Sequence, residues 1–233
     1  MDDSLKGKTV AIVAMGASNS DFIKQCAFKG SQTQVADEVW AINSMAGVIQ
    51  HDRVFMMDPV ARFFDTDLAG PMTPGMRDWL PRHPGPIYTV ALDERAPGLV
   101  PYPIVEVVAK IGVPYFNNTA AYAIGYAIAS EVKKIELYGI DFSYPDDRHG
   151  AEAGRACCEF LCGMAVRSFG IEVQVSPSST FLDVSSSEED KLYGYRDLPL
   201  YNYGNKIKMD YNGETKVWSV VEVESPKDGV CEG

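Results

Sequence analysis

Residues 117–142 read NNTAAYAIGYAIASEVKKIELYGIDF. Asn117, Asn118 and Thr119 offer the side-chain oxygens that cap a helix start. Ala120 to Val132 is Ala-rich and uncharged until Glu131, the composition of a helix buried on most of its surface. Lys134 to Tyr138 then reads as a strand ended by Gly139-Ile-Asp. A buried helix running directly into a short apolar strand is the repeating unit of a parallel α/β sheet.

The same alternation extends in both directions. Upstream, TVAIVA (Thr9 to Ala14), EVWAIN (Glu38 to Asn43), RVFMM (Arg53 to Met57) and IYTV (Ile87 to Val90) are strand candidates. They are continuous rather than alternating, which suits strands covered on both faces. Ala17-Ser-Asn-Ser-Asp opens a helix over about Asp21 to Phe28, closed by Gly30. Residues 65–86 are rich in Pro and Gly, with a short helical piece around Met76 to Leu80. Ala96 to Pro114 carries Pro97, Pro101, Pro103 and Pro114 and reads as an irregular excursion of the kind that overlies a site. Downstream, a long helix over Ala151 to Phe169, closed by Gly170, leads to a strand at Ile171 to Val175. Residues 9–176 thus predict a doubly wound, mainly parallel α/β sheet. The expected division is a nucleotide-binding domain over 1–183 and a tyrosine-rich appendage over 184–233 holding one hairpin.

Composition narrows the function classes. The 233 residues are 46% hydrophobic and 23% charged, as in an ordinary globular protein. Lys+Arg 21 against Asp+Glu 32 gives a net charge of −11, which disfavours duplex nucleic acid as a ligand. A small anion remains admissible, because helix-start N–H groups bind phosphate without Lys or Arg. The five cysteines, three of them in one helical pattern, do not suit a disulfide framework, and no histidine stands at zinc spacing beside them. Cys158 and Cys162 read as core residues. The chain opens Met1-Asp-Asp-Ser-Leu-Lys and goes straight into a strand, and no apolar run reaches the ~18 residues of a membrane span. A reduced, cytoplasmic protein without a signal peptide is expected.

In an open α/β sheet, ligands bind outside the carboxyl ends of the strands, where strand order reverses. The residues there are Gly16, Ala17, Ser18 and Asn19; Asn43 and Ser44; Asp58; Gly139 and Asp141; and Ser176 and Ser178. Asn117, Asn118 and Thr119 start a helix that points the same way. Gly16-Ala-Ser-Asn-Ser is neither a dinucleotide fingerprint nor a P-loop, and from these residues a capped turn and a phosphate site are equally open. For Asn43 and Asp58 taken singly, turn capping is the commoner role; as a set the strand-end residues describe a polar crevice. His149, after Asp146-Asp147-Arg148 and before a helix, is a candidate general base, with a solvated loop histidine as the plainer alternative. Asp146-Asp147 is a polar loop or a cation site, and His51 and His83 read as surface.

VAIVAMGASNSDF, EVWAINS, RVFMMDP and NNTAAYAIGYAIASEVKKIELYGIDFSY, in that order, resemble a Rossmann-like superfamily. It comprises bacterial CMP-sialic-acid-dependent sialyltransferases, motility-associated glycosyltransferase-like proteins and 6-hydroxymethylpterin pyrophosphokinases. The resemblance spans about residues 9–183, and its most specific part is Tyr138-Gly-Ile-Asp-Phe-Ser-Tyr. Gly16 and Ser18 match the family's nucleotide loop, where Ala17 replaces the usual Pro and Met15 the usual Asn or Gly. Asn43 matches an Asn near the nucleotide, Asp58 the Asp-Pro after the third strand, and His149 falls where the family carries its proposed base. Tyr102, Tyr115 and Tyr144 are candidates for phosphate-binding lid tyrosines.

The resemblance implies transfer of a sugar from a CMP- or UDP-linked donor to a hydroxyl acceptor. His149 would be the base, with Asp141 beside it as the second catalytic residue. Gly16, Ala17, Ser18, Asn19, Asn43, Asp58, Asn118, Thr119, Gly139 and Tyr144 would hold the nucleotide. No metal or further cofactor is expected. The alternatives are a pyrophosphokinase with Asp58 and Asp141 on Mg²⁺ and a pterin-like substrate, or a non-catalytic nucleotide-binding module. The acceptor is open: a glycan, a lipid-linked sugar, a protein, or a modified DNA base, the last suiting a phage enzyme. A homo-oligomer is also left open.

Overall fold

The computed structural model describes residues 2–67, 69, 73–143 and 147–186, and the backbone of 206–212 and 217–223. By its contacts the chain divides into two compact units, Met1–Ser185 and Ser186–Gly233. The first unit is built on a seven-stranded sheet: β1 (Thr9–Val13), β2 (Glu38–Ile42), β3 (Arg53–Phe55), β4 (Ile87–Thr89), β5 (Leu99–Pro101), β6 (Lys134–Tyr138) and β7 (Glu172–Val175). Its order is β5-β4-β3-β2-β1-β6-β7, and every pairing is parallel. The chain steps outward from β1 to β5, then returns to place β6 on the other side of β1. Strand order therefore reverses between β1 and β6. This is the doubly wound α/β sheet that the alternation predicts.

Among the described residues six helices cover the sheet: α1 (Asn19–Lys29), α2 (Val60–Phe64), α3 (Thr73–Trp79), α4 (Ile104–Ile111), α5 (Thr119–Ala129) and α6 (Arg148–Phe169). Side chains alternate along a strand, so β1 sends Val10 and Ile12 to one face and Ala11 and Val13 to the other. Val10 and Ile12 join Trp40, Phe55, Ile135 and Leu137 against α4, α5 and α6. Ala11 and Val13 join Val39 and Ala41 against Phe22 of α1, while Val54 and Met56 meet Val60, Phe63 and Met76 of α2 and α3. Between Ala120 and Ala129 only Tyr122 is not fully buried. The small alanines let α5 lie close against the sheet and both flanking helices at once. Cys157, Cys158 and Cys162 are free, buried thiols on the inner face of α6. Burial pushes Cys162 up to about 12, and Cys158 well above the usual thiol value.

Three expectations are corrected here. Residues 96–114 are not an irregular excursion, since they contain β5 and α4. Pro101 ends a three-residue edge strand and Pro103 sits just before the helix, two places where a missing N–H costs little. The long helix starts earlier than Ala151, because Asp147 caps it by accepting the Gly150 N–H at 2.9 Å, so His149 lies inside its first turn. His51 and His83 are not independent surface groups. Their Nε2 atoms are 2.8 Å apart, the rings stack, and Trp79 meets His83 edge-on.

The amino ends of the strands carry an ion-pair network. Arg53, nearly buried, donates to Glu38 at 2.7 Å and to Asp2 at 2.6 Å, and reaches the Tyr88 hydroxyl at 3.1 Å. Burial works against the Glu38 charge, but the bonds from Arg53 and Trp40 outweigh it and hold Glu38 below the ordinary carboxylate value. The second unit shows an antiparallel hairpin, β8 (Lys206–Asn212) with β9 (Val217–Val223), Lys206 standing opposite Val223.

Candidate active site

A cavity of about 870 Å³ opens outside the carboxyl ends of β1, β2, β3 and β6, over the point where strand order reverses. Its size suits a nucleotide-sized ligand. Its polar rim includes Asn43, Asp58, Asn117, Asn118 and Thr119; its apolar wall includes Met57, Phe116, Tyr122 and Phe142. Gly16, Ala17, Gly139 and Asp141 also line it, while Asn19 and His149 do not.

The two central loops are pressed together. A Cβ on Gly16 would stand 2.5 Å from Asp141 Oδ2 and 2.6 Å from the Gly139 carbonyl oxygen. Gly139 has φ +68, and a Cβ there would collide with the Ala14 carbonyl. Glycine is required at both positions by contact between the loops themselves. Ser18, only 2% exposed, joins them: its hydroxyl donates to Asp141 Oδ1 at 2.6 Å and accepts the Gly139 N–H at 2.9 Å. Asp141 accepts the Ser18 N–H on Oδ2 at 2.9 Å, and the Ser179 hydroxyl on Oδ1 at 2.7 Å. Its carboxylate thus latches the segments after β1, β6 and β7. Asp21, in the first turn of α1, closes the neighbouring seam by accepting from the Ser176 and Ser178 hydroxyls at 2.6 Å each. Those two hydroxyls, with Lys24, hold Asp21 well below the usual carboxylate range.

This latch changes where an anion can be held. In the Gly16 loop, the amides of Gly16, Ser18, Asn19, Ser20 and Asp21 all donate within the protein. Among the described residues only the Ala17 N–H of that run keeps no protein acceptor. The start of α5 is different: Asn118 Oδ1 caps Ala121 N–H at 3.0 Å, leaving the amides of Thr119 and Ala120, both cavity-lining residues, without acceptors among the described residues. Asn118 is otherwise fully occupied, since its Nδ2 donates to the Gly154 carbonyl at 3.2 Å and to Asn117 Oδ1 at 2.9 Å. Asn118 therefore positions Thr119 and Ala120, in the way that Ser18 and Asp141 position the loops.

Two lining residues have left-handed backbones although neither is glycine: Asn43 (φ 50) and Phe142 (φ 51). Asn tolerates that conformation and Phe does not, so the position of Phe142 is imposed by its surroundings. Its ring packs on Phe181, and a Cβ on Gly154 would lie 2.8 Å from it. Asn43 Oδ1 is buried without a hydrogen-bond partner among the described residues, which leaves an acceptor for a ligand N–H or O–H. Asp58 is paired with Arg62 at 2.5 Å and one side of it borders the cavity.

The remaining candidates separate. His149 is exposed on the first turn of α6. Tyr102 belongs to the core, its hydroxyl donating to the Tyr122 carbonyl at 2.9 Å, and Tyr115 packs edge-to-face on Phe160. Tyr144 and Asp146 lie outside the described residues. Residues 65–67 form an Asp-x-Asp sequence, but Asp65 is bonded to Arg95 and Asp67 to Arg77, and neither lines the cavity. No group of three or more His, Cys, Asp or Glu side chains placed to hold a metal occurs among the described residues, nor any helix long and apolar enough to cross a membrane. Strand-end reasoning missed the aromatic wall. Phe116 and Phe142 stand beside polar residues it did select, which was the available signal.

No protein-family model and no curated protein sequence matches the chain. Among solved structures it is similar to the sialyltransferase CstII from Campylobacter jejuni in complex with the substrate analogue CMP-3FNeuAc. That likeness has 14% identity, covers 76% of this chain and 83% of that one, and has a TM-score of 0.48. The same enzyme with cytidine-5'-monophosphate is 16% identical over 77% and 84%, with a TM-score of 0.45. The apo alpha-2,3-sialyltransferase from Campylobacter jejuni is 14% identical over 78% and 81%, also at 0.45. Likenesses this loose transfer no residue roles.

Proposed function

We propose that the chain is a glycosyltransferase taking a sugar from a nucleotide-sugar donor, CMP- or UDP-linked, and passing it to a hydroxyl acceptor. The observation that carries this is the cavity at the sheet's switch point, with an amide-lined anion position on one side and an unfilled buried acceptor on the other. The donor phosphate would rest on the Thr119 and Ala120 amides, helped by the α5 dipole and the Ala17 N–H. Asn43 Oδ1 would accept from the base or ribose, and Phe116, Tyr122 and Phe142 would cover the donor's apolar surface. Ser18, Asp141 and Asn118 hold these groups in place.

As the sugar–phosphate bond breaks, negative charge gathers on the leaving phosphate, where fixed amides stabilise it. His149 is the proposed base for the acceptor hydroxyl. It is exposed on the first turn of α6 and does not line the cavity, which suits a group that meets an acceptor arriving from solvent. The sequence carries the sialyltransferase resemblance on the Gly139-Ile140-Asp141-Phe142 segment, and the known CMP-bound relatives of similar fold suggest which donors to try first. The pyrophosphokinase alternative gains no support, because both oxygens of Asp141 are already bonded to Ser18 and Ser179.

Thermal shift against CMP, UDP, GDP, ADP and ATP tests the donor class. A ligand at 100 times its Kd adds about 2.7 kcal/mol, or roughly 5–10 °C in a unit of this size. CMP or UDP should give that shift without Mg²⁺; a shift from ATP alone, dependent on Mg²⁺, would reverse the assignment. With a responding donor in hand, His149→Ala should slow transfer far more than it weakens nucleotide binding, and unchanged turnover removes His149 from the reaction.

A further inference from the structure

Two adjacent asparagines tie the start of α5 to the body of α6. Asn117 Nδ2 donates to the Ala153 carbonyl at 2.9 Å and Asn118 Nδ2 to the next carbonyl, Gly154, at 3.2 Å. The two amides are themselves linked, Asn118 Nδ2 to Asn117 Oδ1 at 2.9 Å. Inside a helix these carbonyls already accept from N–H groups one turn on, so the asparagine bonds are additional. Asn117 is exposed, at the edge of the α5–α6 contact whose core includes Cys158 and the surrounding apolar residues. A Cβ on Gly154 would stand 2.8 Å from the Phe142 ring and, at 3.4 Å, in ordinary contact with Asn118 Nδ2, so it is Phe142 that calls for glycine there.

His149 is four residues before Ala153. It lies on the same helical face, about one turn and ~6 Å away along the axis. We infer that Asn117 is a positioning residue for the transfer step: its bond to Ala153 sets where the first turn of α6, and hence His149, stands relative to the donor phosphate at Thr119 and Ala120. This rests on the assignment of His149 as the base. Asn118, already committed to capping α5, anchors the pair, and Asn117 transmits the register to α6. One element thus presents the anion-binding amides and, through two side chains, fixes the distance to the proton acceptor.

Two variants remove the contact differently. Asn117→Ala deletes it, and Asn117→Asp keeps the acceptor for Asn118 but cannot donate to Ala153. Both should bind CMP or UDP within twofold of the wild type and lower kcat about tenfold or more, the scale expected for a displaced reacting group. In an H149A background, Asn117→Ala should cost nothing further. The chain has three histidines, so the imidazole Cε1–H spectrum gives a readout that needs no turnover. The His149 resonance should move or broaden in both variants, while those of His51 and His83 stay.

An unmoved His149 resonance overturns the inference, whatever donor is found. So does an equal loss from Asn117→Ala with and without His149, or a loss of nucleotide affinity in place of kcat. If H149A turns over at the wild-type rate, the base assignment itself fails and this inference fails with it. If H149A is slow while both Asn117 variants behave as wild type, the base stands and the positioning role falls.

Discussion

Replacing Ser18 with alanine separates two accounts of the Gly16 loop. In the structure the Ser18 hydroxyl is consumed internally, accepting the Gly139 N–H at 2.9 Å and donating to Asp141 Oδ1 at 2.6 Å, in a position 2% exposed. Removing it leaves a buried backbone N–H without its acceptor, at about 1–3 kcal/mol, and strips one charge-assisted bond of about 1.5–3 kcal/mol from a buried carboxylate. Some relaxation is available, because Asp141 keeps the Ser18 N–H and the Ser179 hydroxyl. A net loss of about 2–5 kcal/mol follows. The assay is urea unfolding of the ligand-free protein, reading a lower midpoint at unchanged slope, supported by a fall of roughly 5–15 °C in Tm. Affinity for CMP or UDP, measured by calorimetry on the folded fraction, should change little. Wild-type stability combined with a large loss of nucleotide affinity would refute the latch and return Ser18 to the role of a direct phosphate ligand.

Further outcomes follow from other parts of the structure. Gly139→Ala should cost about 3 kcal/mol or more, since the new Cβ meets the Ala14 carbonyl from a left-handed backbone; circular dichroism melting checks it. Arg53→Met should destabilise by about 3 kcal/mol by taking the nearest cation from Glu38, which keeps only Lys8 at 3.5 Å and the Trp40 N–H, and Arg53→Met with Glu38→Gln should recover part of that in urea titrations. Burial, and then the nearby His51, hold the His83 pKa below its usual 6.5. The folded protein then binds fewer protons at this group than the unfolded chain, so its contribution is complete above pH 6.5 and is lost as pH falls toward the native pKa. Urea midpoints taken downward from pH 7.5 should show that loss, and His83→Gln should flatten it.

The hydrogen bonds around these two histidines also determine their tautomers. Gly85 N–H donates to His83 Nδ1 at 2.9 Å, so the proton of the neutral ring is on Nε2 and points at His51 Nε2. His51 then carries its own proton on Nδ1, facing the Ile49 carbonyl at 2.8 Å. An added proton on His83 Nδ1 would set it against the Gly85 N–H, two donors facing each other, the same direction as the burial effect.

The sheet was legible because each long strand is a continuous apolar run with a helix behind it: six of the seven strands were expected near their observed positions. β5 escaped because it is three residues long and flanked by prolines, so neither period nor composition marks it. The location of the site was legible through the strand-end rule, but the direction of its side chains was not. Ser18, Asp141 and Asn118 are the residue types that bind ligands, yet each turns inward to hold backbone or a neighbouring loop. The Gly16 loop was open to a capped turn or a phosphate site and Gly139 stood among the nucleotide-holding residues, whereas the space beside each glycine is filled by the opposing loop. Which of two nearby partners a polar side chain meets depends on the distance between segments over 120 residues apart in sequence, such as Ser18 and Asp141. That distance is a property of the packed sheet.

The buried thiols of α6 have a practical use. A thiol reacts as its thiolate, and Cys158 and Cys162 are held protonated by burial against α5 and the sheet. Alkylating reagents will therefore reach them only when α6 separates from its neighbours. Their labelling rate, followed by intact mass as denaturant rises from zero, is a clock for that opening event. If bound nucleotide slows the clock, ligand occupancy and the seating of α6 share one free-energy balance, measurable without any catalytic turnover.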